Sequence, residues 1–263
     1  MTGSYDAIEF ERVGHVLRVV LHHPSNERNA VDGLLHHELR RLASDLREER
    51  EARAIVLTAT GKAFSAGGDF DWFPTLRTPE RLEELRREAR RMTLDWLDIE
   101  VPIVAALNGA AVGLGASLVL LCDAVVMAEG SVLCDPHVKV GLVAGDGGTA
   151  VWPAAVGSIR ARWHLLSGEP VSAEDAAAWG LANRVVPADE LDAVAMGMAE
   201  TIAANPPLAV RYTKVALNQA VRRALLESVD LATALELSTF RTADHAEAVD
   251  AAKQRRPGHY EGR

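Results

Sequence analysis

"VPIVAALNGAAVGLGASLVLLCD", residues 101–123, runs from a β-branched apolar segment through small residues into a second apolar segment. The first part has the composition of a buried strand, and the glycines after it permit a tight turn into a helix. The continuation "DAVVMAE", residues 123–129, is another strand signal, so the stretch reads as strand, glycine turn, helix, strand. The theme occurs earlier as well. "GHVLRVVL" (14–21) and "RAIVLTA" (53–59) are short strand-like runs, and "VDGLLHHELRRLASDLREER" between them repeats apolar residues at helical spacing. The fold class is therefore α/β, with a mostly parallel sheet layered against helices.

The chain has 263 residues, 25% charged and 48% hydrophobic, which is the composition of a folded globular protein. A formal charge of -9 argues against nucleic acid or an anionic membrane surface as a general partner. Cys122 and Cys134 form neither a disulfide framework nor a zinc knuckle, and no metal site is expected. No signal segment or membrane-length apolar run is read, so the expected location is the cytoplasm.

"TPERLEELRREARRMTLDWLDIE" (78–100) has Pro near its start and mixed charges at helical spacing, which predicts an amphipathic helix whose arginines serve its solvated face. Beyond about Ile202 the periodicity is purely helical, with Pro206 and Pro207 marking the break. The expected organisation is a core over residues 1–200 and a helical subdomain over 201–263.

Three motifs fail on inspection. Lys62 follows Gly61, but Val56 occupies the position where a phosphate loop needs another glycine. Ser117 in "GASLV" lacks the second glycine of a nucleophile elbow. The pairs His22/His23 and His36/His37 lack a ligand set and are read as solvated surface histidines.

"FSAGGDF" (64–70) and "NGAAVGLGAS" (108–117) each end a strand in small residues and open toward a helix. Exposed amides at such turns can hold an anion, and two converging ones make an oxyanion hole with about 3 kcal/mol available per donor. Tight turns and close helix packing explain each motif equally well when taken alone.

Together with "HHPSNERNAV", "VKVGLVAGDGGT" and the ending "RRPGHYEGR", these segments resemble the enoyl-CoA hydratase/isomerase (crotonase) superfamily from about residue 5 to the C-terminus. The resemblance implies a spiral of ββα units and a helical C-terminal region that builds a homotrimer or a dimer of trimers. It implies a coenzyme A thioester substrate, no permanently bound cofactor, and an enolate oxygen held by the N–H groups of Gly68 and Leu114. It also implies coenzyme A contacts near Arg28, Ala30 and Ala66, with Arg255 and Tyr260 near the phosphates and adenine. Trp72, Phe73 and Trp152 are candidate apolar walls.

Hydratases of this superfamily use two glutamates, and at the corresponding positions this chain has Ser117 and His137. His137 is a candidate base, since imidazole titrates near neutral pH, and Asp146 is a candidate to hold its other ring nitrogen. The expected reaction is enolate chemistry on an acyl-CoA or related β-dicarbonyl compound, with this pair activating water for hydration or hydrolytic C–C cleavage. A packed core histidine and a helix N-cap are the structural alternatives for the two residues. Two functional alternatives stand beside it: a non-catalytic acyl-CoA-binding scaffold, and an acyl-transfer hydrolase using Ser117, His137 and Asp146.

Overall fold

The computed structural model describes residues 4–263. In chain order the elements are β1 (Ile8–Val13), β2 (Val16–Leu21), α1 (Gly33–Arg47), β3 (Ala54–Ala59), α2 (Pro79–Leu97), β4 (Ile103–Leu107) and β5 (Ala111–Val112). They continue with α3 (Leu114–Leu120), β6 (Ala124–Ala128), β7 (Val132–Cys134), α4 (Gly148–Val156), α5 (Ser158–Ser167), β8 (Val171–Ser172) and α6 (Ala173–Ala178). The last are β9 (Arg184–Val186), α7 (Leu191–Ala203), α8 (Pro207–Thr239) and α9 (Ala243–Gln254), with short 3-10 turns at Phe73–Leu76 and His137–Val140. The division expected at residue 200 falls inside α7.

A six-stranded sheet has the order β1-β2-β3-β4-β6-β9, and a second, three-stranded one has the order β5-β7-β8. Strands β2, β3, β4, β6 and β9 are parallel, as the alternating strand and helix signals require. Ahead of the strand signal at residues 14–21 lies a further strand, β1, which pairs antiparallel with β2 from Ile8↔Leu21 to Val13↔Val16. Its solvent-facing alternation of charged residues hides it, and Gly14 at φ +57° makes the tight connection.

Side chains alternate across the large sheet with a period of two. Val16, Val56, Val104 and Val126 face α7, packing on Leu191, Ala195 and Ala199. Leu17, Ile55, Leu57 and Ile103 face the other way, onto Leu35, Leu39 and Leu42 of α1 and Trp96 of α2. Each fully buried aliphatic side chain contributes about 1.5–3 kcal/mol, so this double burial holds the parallel sheet. Caps define the two covering helices. Asp32 accepts from Leu35 N (2.9 Å) at the start of α1, and Thr78 accepts from Arg81 N (3.3 Å) just before Pro79 opens α2. Three arginines of α2 make i,i+3 or i,i+4 pairs with glutamates, Arg81 with Glu84 and Arg86 and Arg87 with Glu83, while Arg90 and Arg91 pair with Asp230 and Asp95.

Helix α8 packs on α2 and α4 through Leu225, Val229, Ala232, Thr233 and Glu236, a stripe at i, i+4, i+7, i+8 and i+11. Four of these are ordinary contacts for a buried face; Glu236 is a carboxyl at its end.

A candidate active site at two paired glycine loops

Neighbouring parallel strands β3 and β4 end side by side, and the loops that leave them carry the two glycine segments. A parallel bridge Ser65↔Ala111 joins those loops, with Ser65 N donating to Ala110 O (3.1 Å) and Val112 N donating to Ser65 O (2.9 Å). A second bridge, Val31↔Gly68, ties in the loop after β2. That loop is held by Asn29, buried in the left-handed region at φ +49°, whose amide group donates to Thr60 O and Ala63 O.

The bridges decide where the amides point. Val31 N donates to Gly67 O and Asp69 N donates to Val31 O, so on an extended strand the N–H of Gly68 is turned to the opposite side. Leu114 opens α3, and its N–H is among the helix's unsatisfied first-turn donors. Gly68 and Leu114 both line one cavity, together with His137, Asp146 and Glu236. Gly113, at φ +55°, makes the junction: a Cβ there would stand 3.4 Å from His137 Cε1 and 3.9 Å from Gly67 Cα.

The imidazole arrives by a separate route. Strand β7 pairs with β5, Gly113 N donates to Cys134 O (2.8 Å), and the chain then turns through Asp135 and Pro136 into the His137–Val140 turn. Asp146 lies in the loop before α4, where Thr93 Oγ1 donates to its carbonyl (3.3 Å) and Thr233 Oγ1 donates to Gly145 O (3.0 Å).

The expected partner of the ring is corrected here. His137 Nδ1 is hydrogen-bonded to Asp135 Oδ1 at 2.5 Å, and Asp135 is wholly buried. Asp146 lies at the opposite edge, its Oδ2 3.8 Å from Nε2, beyond hydrogen-bond distance. Asp146 Oδ1 accepts from Gly148 N (3.3 Å) and from Ser117 Oγ (3.1 Å), and its other oxygen has no hydrogen-bond partner; the N-cap of α4 is Gly147, so Asp146 is not the cap that its sequence context allowed.

Burial works against a charged ring at His137, but Asp135 first and Asp146 next outweigh it and push its pKa up to about 10. The ring is therefore an imidazolium at neutral pH, not the neutral base expected from its sequence context. Asp146 is raised by burial, against the opposing pull of His137. Glu236 is pushed up to about 8, by burial and then by Asp146 and Asp135, and so holds a proton at neutral pH. Neither Asp135 nor Glu236 was a candidate from sequence.

The remaining candidates divide. Trp72 and Phe73 line the cavity, whereas Trp152 is in the core, 0% exposed and stacked on His164. His36 and His23 are buried rather than solvated, and His36 lines the cavity as a neutral ring, with burial pushing its pKa down to about 4. Ser117 is 1% exposed and its hydroxyl donates to Asp146, not to His137, so the Ser117/His137/Asp146 acyl-transfer arrangement is not assembled. Arg28 and Ala66 are adjacent, Ala66 N donating to Arg28 O (2.9 Å), and Ala30 is half-buried beside them. Arg255 is exposed at the C-terminal end of α9 and Tyr260 is exposed on the tail that turns back along that helix, where His259 N donates to Glu247 and Glu261 N to Asp244; the cavity lining includes neither. No helix among the described residues is long and apolar enough to cross a membrane.

A profile of the enoyl-CoA hydratase/isomerase family matches residues 11–263. A putative enoyl-CoA hydratase of Thermus thermophilus is 36% identical over 252 residues, 93% of this chain and 96% of that protein. Among solved structures, an enoyl-CoA hydratase/isomerase from Mycobacterium paratuberculosis is 40% identical with a TM-score of 0.88, over 93% of this chain and 98% of that one. A β-diketone hydrolase from the cyanobacterium Anabaena sp. PCC 7120, solved with (S)-3-oxocyclohexyl acetic acid, is 32% identical with a TM-score of 0.84. That likeness covers 90% of this chain and 94% of the hydrolase.

Proposed function

This chain belongs to the enoyl-CoA hydratase/isomerase family and has its crotonase fold, and from that premise we propose that it hydrolyses a carbon–carbon bond of a β-dicarbonyl substrate. The observation that carries the reading is the Asp135–His137–Asp146 cluster on the cavity that also holds Gly68 and Leu114. Ser117 and His137 stand where the two glutamates of the hydration route would be, so that route lacks both of its carboxylates.

In this mechanism a water beside Asp146 Oδ2 gives that oxygen a proton while its own oxygen attacks one carbonyl carbon. The bond between that carbon and the α-carbon then breaks, and its electron pair passes into an enolate whose oxygen faces the amides of Gly68 and Leu114. The imidazolium of His137, held at Nδ1 by Asp135, donates its Nε2 proton to the α-carbon, and Asp146 returns its proton to the ring. The products are a carboxylic acid and a ketone, and no cofactor enters the balance. Glu236, protonated, is a donor for the second carbonyl. Apolar walls from Val31, Trp72, Leu76, Met92 and Phe240 keep these groups in a low-dielectric setting.

A binding scaffold has no use for such a cluster, since each buried ionisable group costs stability unless it is paired. For a thioester carrying the same β-dicarbonyl unit, the proposal places coenzyme A contacts at Arg28, Ala30, Ala66, Arg255 and Tyr260. Self-association into a homotrimer or dimer of trimers is proposed on α5 and α8, where Ile159, Trp163, Leu166 and Leu217 are 59–82% exposed.

The test is product mass spectrometry on an acyclic β-diketone, a β-ketoacyl-CoA and an enoyl-CoA. The expected result is two fragments from a β-dicarbonyl compound, one gaining the oxygen of water, with the activity lost in His137→Ala and Asp146→Asn. Hydration of the enoyl-CoA without cleavage of either β-dicarbonyl overturns the proposal.

A further inference from the structure

The catalytic turn His137–Val140 is only four residues long and cannot satisfy its own last carbonyl groups. Lys139 N donates to Pro136 O, Gly141 N to Val138 O and Leu142 N to His137 O, and none of these uses Val140 O. That oxygen accepts instead from His245 Nδ1 at 2.7 Å, across 105 residues of sequence. His245 is wholly buried in the first turn of α9, its own N–H capped by Thr242 Oγ1 (3.1 Å).

Backbone contact reinforces the bond. Gly141, at φ +69°, ends the turn directly against α9, where a Cβ would lie 2.9 Å from His245 Cα. The ring of His245 also packs edge-on against Phe240 (5.0 Å) and tilted against Phe73 (5.8 Å). Both phenylalanines line the cavity, and Phe73 fills the space where Gly68 would carry a Cβ, 2.5 Å away. One side chain thus touches the wall behind an oxyanion donor and the carbonyl that ends the turn bearing the acid.

We propose that His245 is a positioning residue: by donating Nδ1–H to Val140 O it fixes the turn that aims His137 at the cavity. The bond dictates the tautomer, since Val140 O only accepts, and leaves Nε2 as a buried lone pair with no partner. Burial, with Arg77, outweighs the Val140 hydrogen bond and holds the ring's pKa below the usual imidazole value, which favours the neutral donor. The inference rests on His137 being the proton-transfer residue and is independent of which β-dicarbonyl is cleaved.

Two substitutions separate the hydrogen bond from packing. His245→Phe keeps a ring in the aromatic cluster and removes the donor, whereas His245→Asn supplies an amide N–H near the position of Nδ1. The expected result for His245→Phe is a 10- to 100-fold lower kcat with KM within threefold, and a shifted pH profile. His245→Asn is expected to recover kcat to within about threefold. Ring 15N chemical shifts of His137, followed against pH without substrate, should move in His245→Phe and return in His245→Asn. A His137 titration unchanged in folded His245→Phe overturns the proposal, and so does folded His245→Asn with kcat as low as an unrescued variant. Failure of the cleavage reading alone looks different: the His137 titration still responds to His245 while no β-dicarbonyl is split.

Discussion

Replacing Asp135 with asparagine tests the charge distribution from which the mechanism is built. The wild-type ring is held by a 2.5 Å contact between Nδ1 and a wholly buried carboxylate. A charge-assisted hydrogen bond of this kind is worth roughly 1.5–3 kcal/mol, which at about 1.4 kcal/mol per pH unit corresponds to one to two units of pKa. The raised value of about 10 for His137 should therefore fall toward roughly 8–9, with Asp146 still supporting the imidazolium. In the proposed mechanism His137 is the acid, so the alkaline limb of the pH–rate profile follows its deprotonation, and in Asp135→Asn that limb should move down by one to two pH units. The plateau kcat should fall about tenfold, part of the ~10²–10⁴ that a positioned acid or base supplies. Initial rates of β-diketone loss between pH 6 and 11, followed by the disappearance of enol absorbance, measure both effects. A folded Asp135→Asn protein with its alkaline limb unmoved would refute the assignment of the ring as the acid.

Ser117→Ala removes one hydrogen bond to Asp146, worth about 1 kcal/mol, and should keep activity within roughly tenfold; complete loss of turnover, or a hydroxylamine-trapped acyl group on the wild-type serine, would revive Ser117 as a nucleophile. Glu236 has its pKa raised from 4.5 to about 8, so the folded state keeps a proton that the unfolded chain releases. Its stabilising effect is full below pH 4.5 and is lost as pH rises through about 8, a difference of several kcal/mol. Glu236→Gln should flatten the decline in urea midpoint between pH 5 and pH 8, and a decline parallel to wild type would count against a buried, protonated Glu236.

The strands and the principal helices were legible because their burial is periodic. Ala54–Ala59 is apolar enough to be buried on both faces, and Pro79 after Thr78 announces α2. The two glycine segments were legible as turns, and their place at the ends of adjacent strands follows from parallel order. What escaped were consequences of close approach. Asp135 is two residues from His137, and "DPH" carries a readable hint, since Pro136 bends the chain enough to bring the carboxylate back to the ring. Glu236 carries no such hint: it is the last position of the buried stripe on the 33-residue helix α8, and only the crossing of α8 over the Asp146 loop gives it a chemical neighbourhood. In His36/His37 the pair hid a split, because successive helical residues point about 100° apart and only His36 turns inward beside Leu35 and Leu39.

The Ser65↔Ala111 bridge bears on how this architecture tolerates change. It pairs the two glycine loops through the peptide skeleton itself, so the placement of the amides proposed to hold the enolate is indifferent to which side chains project around them. Leu114 illustrates the point, its bulk being irrelevant to the N–H it contributes. On the proposed mechanism, substitutions at positions 117, 137 and 146 would redirect where a proton travels while the bridged loops stay as they are. A change of chemistry on this backbone would then need few side chains.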